Sequence, residues 1–106
     1  MVAYYIFIAY VSWGEGGKLR PVLVLGQSDV GVVVFNITTA YAAKSEIVRS
    51  NYFEIGDWQQ AGLKQQSYID TNKTTTLPKS SIKYPLGKLT PKDAQRLFEF
   101  LKKGVY

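Results

Sequence analysis

The sequence predicts a mainly β domain, a small and strongly bent barrel of about five to seven short strands closed by one C-terminal α-helix. Three observations carry this. Residues 2–40 hold long β-branched and aromatic runs, "VAYYIFIAYV", "RPVLVLGQ" and "VVVFNITTA". Glycine- and serine-containing turn signals separate them at short intervals. Only "TPKDAQRLFEFLKKG", near the end, changes to a helical period.

The elements follow in order. Val2 to Val11 reads as a strand buried on both faces or a barrel strand, because it is almost wholly β-branched, aromatic or small. "SWGEGGK" reads as a glycine loop, and "RPVLVLGQ" as a second strand with Pro21 confined to its start, since proline cannot donate to a ladder. "SDVG" is a turn before a third strand. "SEIVRSNYFEI" alternates well enough to predict a fourth, from Ile47, Tyr52 and Phe53 with charged residues between them. Asp57 is placed to cap a short helical turn through Ala61, stopped by Gly62. "QQSYIDT" and "TTTLP" read as two short strands, followed by "SSIKYPLGKL". The final helix has Thr90 as N-cap, Pro91 at its first position and Asp93 in its positive first turn. Ala94, Leu97, Phe98 and Leu101 form its predicted apolar stripe, and Lys102, Lys103 and Gly104 close it.

A chain of 106 residues predicts one domain, residues 1–106, with one modest core. No apolar run approaches the roughly 18 residues of a membrane span. The apolar start lacks a basic leader and a small-residue cleavage site, which argues against a signal peptide. With no cysteine, a reducing compartment fits. The lack of histidine removes the commonest general base and the commonest zinc ligand together. The net charge of +5 is uneven: residues 1–63 carry four basic and five acidic side chains, residues 64–106 nine and three. A basic half of this kind suits a polyanion or an acidic protein, and also simple solubility.

Arg20 stands where the glycine stretch meets an apolar strand. A guanidinium on a rigid strand matches phosphate in a bidentate way, and Glu15, five residues earlier, is expected to fold back to face it. Thr38 and Thr39, ending the third strand, offer hydroxyls to a phosphate or ribose. Trp13, in the glycine stretch, is the aromatic best placed to stack on a base. Each also has a plain structural reading, as a surface ion pair, strand-edge residues and a core ring.

Taken together, these segments resemble the MazF/PemK/Kid toxins of bacterial toxin–antitoxin pairs. The resemblance rests on "EGGKLRPVLVL", "FNITTA", "GLKQQSYIDTNKTTTLPKSSI", "LGKLT" and the closing helix, in the family's order over nearly the whole chain. It implies an SH3-like barrel, a cytoplasmic homodimer that cuts single-stranded RNA selectively without a metal or other cofactor and is held by an acidic, partly disordered antitoxin. It implies catalytic roles for Arg20 (phosphate), Thr38 (phosphate or hydroxyl) and Glu15 (proton removal). RNA contacts are expected from Trp13, Lys18, Thr39, Asp70, Asn72 and Lys73. One departure stands out: Asp70 and Asn72 occupy the positions where some members carry an Arg-x-Asp pair. A non-catalytic nucleic-acid-binding barrel, or a gyrase-directed toxin resembling CcdB, are the alternatives this leaves open.

Overall fold

The computed structural model describes residues 3–103. Six strands form one antiparallel sheet: β1 (Tyr5–Trp13), β2 (Gly16–Ser28), β3 (Gly31–Thr38), β4 (Tyr52–Glu54), β5 (Tyr68–Leu77) and β6 (Ile82–Lys88). Their spatial order is β4-β5-β3-β2-β1-β6. A one-turn helix, α1 (Glu46–Arg49), precedes β4, and a 3-10 turn (Lys79–Ser81) precedes β6. Helix α2 (Pro91–Lys102) follows β6. The mainly β class and the single closing helix are as the sequence predicts. Among the described residues no helix is long and apolar enough to cross a membrane.

Both faces of the sheet are covered, which is why its strands read as continuous apolar runs. On β3, Phe35 and Ile37 join Ile6, Leu23, Ile69 and, from α2, Leu97 in one core. Val32 and Val34 point the other way and join Ala9, Val11, Val22 and Leu77 in a second. Register shifts on both sides of the central strands, between Val24 and Gly26 and between Val34 and Asn36, mark the irregularities that bend the sheet.

Several expectations are corrected. The glycine stretch is not a loop: β1 runs to Trp13, β2 begins at Gly16, and only Gly14 and Glu15 connect them. Gly14, at φ +43, makes that tight reversal possible. Gly16 and Gly17 serve packing instead, because the Trp13 and Tyr10 rings lie across them where a Cβ would stand. Pro21 is therefore mid-strand. It is tolerated because β2 is paired on one side only up to Pro21, and the ladder to β3 begins at Val22.

The expected fourth strand is α1 plus the shorter β4. The Ser45 hydroxyl accepts from the Val48 N–H and turns the chain into a helix, which leaves Ile47 exposed. The two short strands of the late segment are one, β5. Residues 56–62 form a turn, with the Ala61 N–H on the Asp57 carbonyl, but the Asp57 carboxylate accepts from the Thr90 hydroxyl rather than capping it. In α2 the Thr90 cap, Pro91, Ala94 and Leu97 are as expected, whereas Phe98 is exposed and Phe100 packs edge-on against Phe53 instead. Asp93 is fully buried: its carboxylate accepts from the Gly56 and Asp57 N–H groups and from Arg96. That anchor turns the helix so that Phe98 falls outside the contact. The start of the predicted first strand at Val2, and Gly104, lie outside the described residues.

Candidate functional site

The β2–β3 ladder ends at the Val22–Asn36 pair. Below it β2 continues as Gly16–Pro21, held by β1 alone, so the two strands fork. A cleft of about 270 Å³ opens at this fork. Lys18 and Arg20 of β2, Thr38 at the end of β3, and Thr39 and Ser67 beyond it form its polar wall, with Pro21 and Ile37 as apolar floor. Strand alternation sets Lys18 and Arg20 on one face of β2, the face that carries Val22 into the second core.

Arg20 is half-buried, and its Nε is buried with no hydrogen-bond partner among the described residues. Buried donors are nearly always satisfied, so an orphan N–H beside an open cleft is a group waiting for an acceptor. The guanidinium carbon lies 5.4 Å from the Trp13 ring centroid, a cation–π contact that fixes where the charge points. The Thr38 Oγ1 accepts the Ala40 N–H at 3.0 Å, which orients the hydroxyl and leaves its proton free to donate.

The other expected site residues lie elsewhere. Glu15 is exposed at the hairpin tip, about 17 Å of extended strand from Arg20. No ion pair joins them among the described residues, so the expected fold-back does not occur. Asp70 faces Asn36 and Tyr52 across the sheet. Its carboxylate accepts from both the backbone and the side chain of Asn72, and Asn72 also donates to the Val48 carbonyl. These two residues clasp β5 to α1 and do not line the cleft. Lys73 is exposed on β5 and does not line it either.

One residue, Ser67, was not anticipated, nor was the contact that Tyr68 makes with Tyr41, although both tyrosines are candidates to stack on bases by sequence. Ser67 lines the cleft although it is nearly buried; its hydroxyl donates to the Gln65 carbonyl at 2.9 Å. Nothing local marks it, since it reaches the fork only through the β3–β5 pairing. Tyr68 lies opposite Thr38 and stacks on Tyr41 at 4.3 Å, with the Arg49 guanidinium over the far ring. Burial, then the Glu54 carboxylate and Tyr41, push the Tyr68 phenol up from its ordinary value, so it stays protonated at neutral pH. Among the described residues no three His, Cys, Asp or Glu side chains gather as a metal site.

A family model described as the PemK-like, MazF-like toxin of type II toxin–antitoxin systems matches residues 5–104. Among solved structures the chain is similar to the Mycobacterium tuberculosis toxin MazF-mt6, with a TM-score of 0.71 over 93% of each chain at 24% identity. At that identity the likeness speaks for the fold. No curated protein matches the chain by sequence.

Proposed function

The chain belongs to the PemK-like, MazF-like toxins of type II toxin–antitoxin systems, and from that premise we propose that it is an endoribonuclease acting on single-stranded RNA at the β2–β3 fork. Its partners in this reading are RNA, a second copy of the chain, and an acidic antitoxin that meets its basic residues in the cytoplasm.

The observation that carries the reading is the pairing of Arg20 and Thr38 in one cleft, the first with an unpartnered buried Nε, the second with an unspent hydroxyl proton. Both residues line one space and bring donors to it, as an anion requires. A scissile phosphate seated there has its non-bridging oxygens on the Arg20 fork and the Thr38 hydroxyl. The neighbouring ribose 2′-oxygen attacks phosphorus, the bond to the 5′-oxygen breaks, and a 2′,3′-cyclic phosphate and a 5′-hydroxyl result. The 2′ proton passes to water, because no carboxylate or imidazole lines this cleft among the described residues. The leaving oxygen takes a proton from the Lys18 ammonium, two residues along the same face of β2. Arg20 stabilises the charge that grows on phosphorus, and this is where such a site gains most of its rate. Apart from the water that takes the 2′ proton, the cleft's own residues supply these roles, with no metal in the reading.

The missing carboxylate also favours a second reading, a barrel that holds RNA without cutting it. One experiment separates them: pure protein and Arg20→Ala are incubated with mixed-sequence single-stranded RNA in EDTA. Cleavage at a few sites by the parent alone supports the nuclease. Intact RNA with both proteins, retained at low salt, supports the binding module.

A further inference from the structure

Pro21, Thr39 and Ser67 line not one cavity but two. Beyond them the surface continues into a second compartment of about 270 Å³, which contains neither Arg20 nor Thr38. Ile8, Leu63 and Leu86 make its floor, and Tyr84, Gln65 and Lys64 its rim. We infer that this compartment is a subsite for the base of a nucleotide adjoining the one whose phosphate lies at Arg20. The inference rests on RNA being the ligand of the cleft, as proposed above.

Four observations support it. Tyr84 is 52% exposed on the edge strand β6, directly opposite Ile8, so its ring offers a face over an apolar floor. That is the composition of a base-stacking platform. Gln66, one residue on, spends its amide on the Ile55 and Ser67 carbonyls, whereas the exposed Gln65 amide makes no hydrogen bond among the described residues. An unspent amide at a pocket rim can read the edge of a base through both a donor and an acceptor. Lys64 is exposed and forms no ion pair among the described residues, leaving its charge for a phosphate. Finally, backbone meets backbone in one wall of the compartment. Gly62, at φ +94, has its backbone so close to the Leu86 carbonyl that a Cβ would collide with it, and Gly87 stands in the same relation to the Ala61 carbonyl. These contacts seat the turn that leads to Leu63, Lys64 and Gln65 directly against β6, the strand that carries Tyr84.

The shared ridge of Thr39 and Ser67 gives the order of events along a strand. With a phosphate at Arg20, the chain passes over the ridge and the next base turns down against Tyr84. Selectivity for sequence then resides at Gln65, outside the cleft where bonds are made.

The test uses a 2′-O-methyl hexanucleotide of mixed sequence, which cannot be cut, and measures its affinity for the full chain and its variants by fluorescence anisotropy. Tyr84→Ala is expected to weaken binding about tenfold, with Tyr84→Phe restoring it. Gln65→Ala is expected to flatten the differences between hexanucleotides that differ at one position. The melting temperature of each variant is measured alongside, and Tyr84→Phe guards against a loss that is only structural. Affinities equal to the parent in both alanine variants overturn the subsite, whether or not the protein cuts RNA. So does no binding by the parent, or a loss of antitoxin binding with RNA affinity unchanged, which would give the compartment to a protein ligand. Cleavage in the EDTA assay is scored separately, so a protein that binds through Tyr84 and never cuts would lose the nuclease reading and keep the subsite.

Discussion

The Arg20 guanidinium rests against the Trp13 ring, its central carbon 5.4 Å from the ring centroid, while its Nε stays buried and unpartnered. The contact joins the two arms of one hairpin, because Trp13 ends β1 and Arg20 lies within β2. Trp13 thus acts by aiming Arg20, whatever it also does for a base. Trp13→Ala is expected to lower kcat for RNA cleavage about tenfold, the scale of one cation–π contact. Arg20→Lys is expected to fall nearly as far as Arg20→Ala, because an ammonium lacks the planar fork. Single-turnover rates measured beside circular dichroism would check both; full activity in Arg20→Lys would remove the fork from the mechanism.

A general base leaves an acidic limb in a pH–rate profile, near pH 4 for carboxylates and 6.5 for imidazole. The cleft wall contains neither among the described residues, and the raised Tyr68 phenol stays protonated well above neutrality. The cleavage rate is therefore expected to climb with pH from 5 to 8 without a plateau set by such a group. A cleavage rate that falls in Glu15→Gln would show that this hairpin-tip carboxylate reaches a cleft after all, such as that of a second copy.

Asp93 is the structural counterpart of Arg20, a fully buried charge with every partner in place. Asp93→Ala strands the Gly56 and Asp57 N–H groups, and each unsatisfied buried donor costs about 1–3 kcal/mol. Urea unfolding should show a loss of about 3 kcal/mol or more, against about 1 kcal/mol for removal of the helix cap in Thr90→Ala. Equal losses would mean that water replaces the carboxylate.

At Gly62 two constraints coincide, a left-handed φ of +94 and a backbone carbonyl where a Cβ would go. Gly62→Ala is expected to lower stability by more than about 1 kcal/mol, since neither the strain nor the collision has a flexible side chain to absorb it. Gly26→Ala has open space around its Cβ and serves as the mild control in the same thermal melts.

RNA binding should weaken steeply with salt, as phosphate contacts release counterions. A Lys64→Ala variant is expected to lower the log–log slope by about one unit and to weaken all sequences alike. An unchanged slope would place Lys64 away from the RNA path.

The closing helix was the most legible element, because its signals are local: Thr90, Pro91 and the Ala94–Leu97 spacing lie within eight residues of each other. Phe98 was misplaced because the rotation of α2 depends on Asp93 meeting N–H groups 36 and 37 residues away. "GEGG" was misread for a related reason. Glycine tracts suggest loops, yet here two of the glycines lie under the Tyr10 and Trp13 rings in a paired strand. The α1 helix hid inside an alternating pattern, because one Ser45 cap outweighed a weak strand signal.

By itself the sequence determined the β-rich class, the closing helix, the charge imbalance and the ordered segments that resemble a toxin family. Those are properties of neighbours along the chain, where period, caps and composition act. Which side chains share a cleft was decided only by the tertiary structure. Arg20 meets Thr38 because the β2–β3 ladder stops at Val22 and Asn36, and Glu15 is kept away because the hairpin is extended. Ser67 and Tyr84 border the same surface because β5 and β6 are brought there by pairing across the sheet. Strand register depends on many weak contacts between distant segments, and no short window of sequence contains them.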